Sequence, residues 1–235
     1  MKPLINAARR IRSWLRQFLG LDLPHRLEVR LGRTRHLGNL NVDWCICPDG
    51  LGPQSVLYSF GVGKEISFDL AMIEQFGLTV HAFDPTPRSI EWLKRQHLPA
   101  RFMFHPYGLG AVDGELKMYA PENAAHVSYS VVPEPGWTSK PIAMPVYRLD
   151  TVAKMLGHRK VDVLKMDLEG AEYEVIEDLA RSKVEVPQLL VEFHHIHKKD
   201  IAKQATARAI RQLNELGYHV FYVSVSGAEY SFIRQ

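Results

Sequence analysis

From Ser55 to Gln235 the chain alternates short apolar runs with amphipathic segments, a rhythm that few folds accept. Apolar runs bounded by glycine or proline read as strands buried on both faces, and the segments between them carry helical period. Such alternation gives a mostly parallel sheet covered by helices on both sides. Val56–Phe60 is the first expected strand, followed by the turn Gly61-Val62-Gly63 and a helix that reaches Phe76, with Gly77 as C-cap. Leu78–Phe83, Arg101–His105, Val161–Met166 and Gln188–Phe193 are the next strands, with helices over Pro87–Gln96, Ala171–Arg181 and Lys203–Leu216. Residues 106–150 read as irregular, with a hairpin-like piece at Glu115–Tyr119.

The final connection decides the topology. Only Ser226-Gly227-Ala228-Glu229 joins Tyr218–Val225 to Tyr230–Ile233, whereas a parallel crossover needs about a dozen residues or more. The last strand therefore runs antiparallel to its predecessor. The expected fold is α/β, a Rossmann-like sheet of seven mostly parallel strands with an antiparallel last strand, over residues 55–235. That is the class I methyltransferase layout, and dehydrogenase sheets end differently.

Ahead of this domain lie two further segments. Residues 3–19 read as an amphipathic helix, because Leu4, Ala8, Ile11, Leu15, Phe18 and Leu19 recur at three- and four-residue spacing beside Ile5 and Trp14. Gly20 and Pro24 close it, and residues 1–20 form a basic helical arm. Residues 21–54 are a glycine- and proline-containing connecting or lid segment, with Asp43-Trp44-Cys45 expected to fold over the site. Residues 1–38 hold nine Lys/Arg against Asp22 and Glu28, a net charge of +7, which leaves −4 for the rest of the chain. With its positive charge on the arm and not around the domain, the chain is not expected to bind nucleic acid. The arm is expected to meet an anionic membrane surface or a lipid-linked acceptor. Packing on its own domain or on a second subunit is the competing expectation, and a mitochondrial transit peptide, for which only Ser13 supplies the usual serine, is the third. No apolar run reaches the roughly 18 residues of a membrane span, and because arginines interrupt the N-terminal apolar positions no secretory leader is expected. Two cysteines one residue apart, Cys45 and Cys47, make no disulfide framework. A cytoplasmic, reducing setting is expected, with peripheral membrane contact.

Three segments converge beyond the carboxyl ends of the strands, where ligands of open α/β sheets sit. Phe60-Gly61-Val62-Gly63-Lys64-Glu65 offers two glycines for close backbone approach. Asp84 stands 21 residues after Gly63, at the end of the second strand, where a carboxylate takes ribose hydroxyls. Tyr107-Gly108-Leu109-Gly110 is positioned to edge an adenine. Ile66 occupies the third glycine position of the dinucleotide fingerprint. A pyrophosphate needs that close approach and S-adenosylmethionine does not, which favours the methyl donor over NAD.

The run Val161-Asp162-Val163-Leu164-Lys165-Met166-Asp167-Leu168-Glu169-Gly170-Ala171-Glu172 closely resembles the signature of the FkbM family of methyltransferases. Tyr58–Gly63, Ala82–Pro85, Arg148–Thr151 and Val191–His194 also look like motifs of that family. The likeness covers about residues 55–235. It implies S-adenosylmethionine as cofactor and O-methylation of a hydroxyl on a sugar, glycan or related natural product. It sets the donor against Gly61, Gly63, Asp84 and Gly108, with Asp167 and Glu169 beside the transferring methyl. Many class I enzymes carry an acid where this chain has Ser59, so Glu65 or Asp69 is left to hold the donor's amino group.

An alcohol is a poor nucleophile at neutral pH, so a general base is useful. His194 is the expected base, with Asp167 and Glu169 shaping the site. The competing role for Asp167 and Glu169 is helix capping, and Glu172 and Glu174 are expected to do only that. His194, His195 and His197 are read as one functional histidine with solvated neighbours, and no metal is assigned. Cys45-x-Cys47 lacks zinc spacing. His126-Val127-Ser128-Tyr129-Ser130 is the candidate acceptor surface. The rival readings are an NAD-dependent oxidoreductase and a catalytically silent binding protein.

Overall fold

The computed structural model describes residues 11, 13–20, 22–24, 26–39, 43–121, 129, 140–196 and 202–235. A two-stranded antiparallel ribbon, β1 (Arg35–Gly38) with β2 (Asp43–Ile46), precedes the main domain. That domain runs β3 (Val56–Phe60), α1 (Ser67–Phe76), β4 (Thr79–Phe83), α2 (Pro87–Leu93) and β5 (Phe102–His105). A small sheet follows, made of β6 (Gly108–Leu109), β7 (Gly114–Met118) and β8 (Ile142–Tyr147). The chain then completes the domain with α3 (Leu149–Leu156), β9 (Val163–Met166), α4 (Glu172–Leu179), β10 (Gln188–Glu192), α5 (Lys203–Glu215), β11 (Tyr218–Val223) and β12 (Glu229–Arg234).

The main sheet has the order β11-β12-β10-β9-β3-β4-β5. β12 is antiparallel to both neighbours, and β10, β9, β3, β4 and β5 pair in parallel. This is the seven-stranded class I methyltransferase layout that the short Ser226–Glu229 connection required. Apolar side chains fill both faces. Phe60, Leu164, Met166 and Phe232 of the sheet cluster with Leu149 and Val152 of α3, Ile176 of α4 and Leu213 of α5, while Leu57 and Val80 cluster on the other face with Phe68 and Met72 of α1. The chain proceeds outward from β3 to β5 and then returns to β9, so the strand order reverses between β3 and β9. A crevice opens there by topology alone.

Two parts of the sequence reading are revised. Asp43–Ile46 is a strand and not a loop over the site. Trp44 is buried against Phe68, the backbone of Cys47 clasps the Gln188 side-chain amide at 2.9 and 2.8 Å, and Ser231 Oγ donates to the Cys45 carbonyl at 2.7 Å. These contacts lay the ribbon across the α1-side face of the sheet. Both cysteines are buried, and neither forms a disulfide. Within 106–150, the irregular reading misses β6 and β8. Pro145 stands opposite Glu115 in the middle of β8, where proline removes a donor and masks the strand pattern.

The arm is described from Ile11 onward, with helix over residues 13–18; residues 1–10 lie outside the described residues. Asp22, just beyond it, reaches the domain. Its Oδ1 lies 3.1 Å from His195 Nε2, whose Nδ1 meets Thr206 Oγ1 at 2.9 Å, and that hydroxyl meets Tyr173 at 3.0 Å. His195 is thus a buried tie between arm, β10, α5 and α4, not a solvated neighbour. His197 lies outside the described residues. Among the described residues no helix is long and apolar enough to cross a membrane.

On the α3 side, three histidines stack over β4 and β5. His81 Nδ1 lies 2.9 Å from His105 Nε2, and His158 Nδ1 lies 2.7 Å from the Tyr58 hydroxyl. Burial, reinforced by His105 and His158, pushes His81 down to about 4 from its ordinary 6.5. Below pH 6.5 the unfolded chain takes a proton that the folded chain refuses. The stability this ring contributes is intact above that pH and is lost toward pH 4, by up to about 3 kcal/mol. Thermal melts of wild type and His81→Phe across this window should show a shallower acid limb in the variant. Parallel limbs would put the acid sensitivity elsewhere.

Candidate active site

A cavity of about 280 Å³ occupies the crevice at the carboxyl ends of β3, β4, β9 and β10. Its back wall is backbone. Gly61 has φ +76°, and a Cβ there would lie 1.8 Å from the Asp167 carbonyl oxygen. Only glycine lets the loop after β3 touch the loop after β9 this closely. Gly61 N donates to the Phe83 carbonyl at 2.9 Å and Asp167 N to that of Phe60 at 3.2 Å, which joins all three strand ends.

Asp84 continues the wall. It is 5% exposed, and its Oδ2 accepts from Gly63 N at 2.8 Å. Its Oδ1 accepts from Thr86 N and Oγ1 at 2.9 and 2.5 Å. A carboxylate has about four acceptor positions, so one remains for a ligand hydroxyl. Phe60, Gly61, Gly63, Glu65, Asp84, Gly108, Asp167 and Glu169 all line the cavity. Tyr107 does not. Its ring packs one layer behind, against Phe83 and Tyr147, and Gly108 and Leu109 form the surface in its place. Leu116, Met118, Tyr129 and Val146 complete an apolar end beside Asp84. Tyr129 is the described member of the candidate acceptor segment; His126, Val127, Ser128 and Ser130 lie outside the described residues.

Of Glu65 and Asp69, Glu65 is the one that lines the cavity. Its Oε1 accepts from Ser67 N at 2.8 Å at the start of α1, and it borders the cavity. Asp69 is buried away from it, and burial pushes its carboxyl up to about 6 despite the Lys165 ammonium.

The floor carries the charge. The turn after β9 places Glu169 at φ +54°, an uncommon conformation for a side chain with a Cβ. Glu172 holds that turn in place. Fully buried, it accepts from Gly170 N at 2.9 Å with Oε2 and from His194 N at 3.0 Å with Oε1, which also faces His194 Nδ1 at 3.2 Å. On the ring's other side, Nε2 lies 3.6 Å from both Asp167 Oδ1 and Glu169 Oε2. Burial opposes charge on this imidazole, but the Glu172 hydrogen bond and the charges of Glu172, Asp167 and Glu169 outweigh it and lift its pKa to about 9.

His194 is therefore an imidazolium at neutral pH. It sits behind the cavity wall, with Nε2 turned toward Asp167 and Glu169. Asp167 lines the cavity itself. Burial pushes it up to about 6 against the opposing Lys165 and His194 charges, so it is largely ionised at neutral pH and basic enough to accept a proton. Beside it, Glu192 is driven up to about 9, first by the Asp167 charge and then by burial. Ligand atoms of Asp167, Glu192 and His194 lie within 4.8 Å of one another.

Sequence reasoning missed Lys165 and Glu229, and it assigned Glu172 only to the helix. Lys165 Nζ lies 3.3 Å from the Gly61 carbonyl and 5.3 Å above the Trp44 ring, and the residue lines the cavity. A lysine inside the apolar run Val163–Met166 was the available signal, because buried lysine is rare without a task. Glu229 enters from the terminal hairpin.

The comparisons with known proteins follow this geometry. The model of the FkbM methyltransferase domain matches residues 60–220. The probable methyltransferase-like protein 24 of Homo sapiens is 29% identical over 162 residues, covering 64% of this chain and 38% of that protein. Its Rattus norvegicus counterpart is 31% identical over 161 residues, with the same coverage. The chain thus spans well under half the length of these relatives. Among solved structures, the Methanococcus jannaschii fibrillarin pre-rRNA processing protein aligns at 11% identity and TM-score 0.46, covering 88% of this chain and 85% of that one. Aeropyrum pernix fibrillarin with bound S-adenosyl-L-methionine aligns at 10% identity and TM-score 0.40, covering 77% and 66%. With most of the domain inside the family model, the chain belongs to the FkbM methyltransferase family.

Proposed function

We propose that this chain O-methylates a hydroxyl of a sugar, glycan or related natural product, with Asp167 as the base. The observation that carries this reading is an enclosed carboxylate on the cavity floor whose pKa is raised to about 6 beside a buried imidazolium. That combination suits removal of a hydroxyl proton at neutral pH.

The cavity fits the methyl donor on its own residues. The backbone wall at Gly61, where a Cβ would strike the Asp167 carbonyl, allows close contact. Asp84 offers an acceptor to a ribose hydroxyl, the apolar end at Leu109, Met118 and Val146 suits adenine, and Lys165 and Glu65 suit the carboxylate and amino groups of the methionine part. When bound, S-adenosylmethionine supplies an electrophilic methyl on a sulfonium, whose positive charge the surrounding acids favour. Asp167 then accepts the proton of an acceptor hydroxyl, while Glu172 holds His194 so that its charge steadies that carboxylate. Glu169, Glu192 and Glu229 border the same space. Carboxyl groups accept from hydroxyls, which favours a polyhydroxylated acceptor over an apolar one. Incubation with labelled donor and a cellular glycan fraction tests the reading by a gain of one methyl on glycan. Label appearing only on protein or on nothing would overturn it.

Asp84→Ala should weaken donor binding by about 1.5 to 3 kcal/mol, or roughly ten- to hundredfold, as read by calorimetry. Unchanged affinity would remove Asp84 from the donor site. The second prediction separates Asp167 from His194. Turnover should rise with pH through about 6 as Asp167 ionises, and Asp167→Asn should lower it by about 10²- to 10⁴-fold with donor affinity nearly intact. His194→Gln removes a cation, so the acid limb of the remaining activity should move to higher pH. An acid limb that disappears in His194→Gln while persisting in Asp167→Asn would return the base to His194.

A further inference from the structure

The helical part of the arm is turned the wrong way round for a helix that packs on its own domain. Ile11, Trp14, Leu15, Phe18 and Leu19 are all exposed, with Trp14 at 61% and Phe18 at 75%. At 100° per residue they share one side. On the opposite side Ser13, a small polar residue, is 8% exposed. The Trp14 and Phe18 rings stack on each other at 5.4 Å. An amphipathic helix normally spends its apolar side on its own core; here the arm is held by polar contacts instead. Arg16 lies 3.6 Å from Asp22, Asp22 joins His195, and Lys203 donates to the Gly20 carbonyl.

We infer that this face docks on an anionic lipid bilayer. Charge selects that occupant over a second copy of the chain. Residues 1–38 carry a net +7, and no acid precedes Asp22. The two acids present are engaged internally: Asp22 with His195, and Glu28 as acceptor of the Asn214 side chain and of Val220 N. Two such arms repel each other, whereas an anionic surface attracts each of them. Exposed aromatic rings beside arginines match the headgroup region, where one part of the helix is apolar and the rest is wet. The anchor also fixes where the membrane lies. His195 follows β10 at the same sheet edge as the cavity, so a docked arm holds the cavity's edge of the domain near the headgroups. A lipid-linked hydroxyl acceptor fits that geometry.

Vesicle co-sedimentation of the full chain tests the docking independently of turnover. Wild type should pellet with phosphatidylserine–phosphatidylcholine vesicles, less with phosphatidylcholine alone, and less at high salt. Trp14→Ser combined with Phe18→Ser should bind at least about tenfold more weakly. Both side chains are solvent-exposed, so the melting temperature and donor affinity should stay unchanged. Equal pelleting of wild type and variant, or none of either, would overturn the inference. Light scattering that finds a wild-type dimer abolished by the same pair of substitutions would assign the face to a second copy. Docking without methyl transfer would leave this inference standing and remove the proposed activity.

Discussion

The site depends on one contact, the carbonyl oxygen of Asp167 occupying the place of a side chain at residue 61. A parallel sheet whose order reverses leaves a gap between its two central strands, and Gly61 closes that gap with backbone. The same approach brings Asp167 N onto the Phe60 carbonyl and Gly61 N onto that of Phe83. Three strand ends become one rim, and Asp84 and Asp167 hang from it. A wider separation would still give the fold, but with carboxylates too scattered to perturb one another.

The rim gathers more acid than a solvent-exposed surface would tolerate without a response. The Asp167 charge raises Glu192, and His194 and Lys165 supply the positive charge that keeps Asp167 ionisable near neutrality. Glu172 governs this balance without touching the cavity. By accepting from both Gly170 N and His194 N, it fixes the turn that presents Glu169 and the ring that faces Asp167. Buried and fully used, it is a structural acid whose influence is electrostatic.

Fold and site were legible to different depths. Strand–helix alternation and the four-residue terminal connection determine the main sheet, because those signals are local and geometric. Asp43–Ile46 was not legible as a strand, since it and its partner Arg35–Gly38 are only four residues each and the contacts that bury it, such as Ser231 to the Cys45 carbonyl, come from far along the chain. Pro145 concealed β8 for a local reason. At the site, Gly61, Gly63 and Asp84 could be read because backbone approach leaves a glycine and acid spacing behind. The protonation of His194 could not be read. It is a sum of opposing terms, burial against three carboxylates, whose sign depends on distances of 3.2 to 3.6 Å. Tyr107 misled for a related reason, as a motif position specifies where the backbone goes and not which neighbour forms the surface.

His194 and His195 are consecutive residues with separate partners. One ring faces the carboxylates beneath the cavity, and the next is bonded to the arm through Asp22. Both hang from a single backbone turn, itself pinned by Glu172. In linkage terms, a ligand in the cavity that shifts this turn changes the arm's docking free energy by some amount. Docking of the arm must then change that ligand's binding free energy by the same amount.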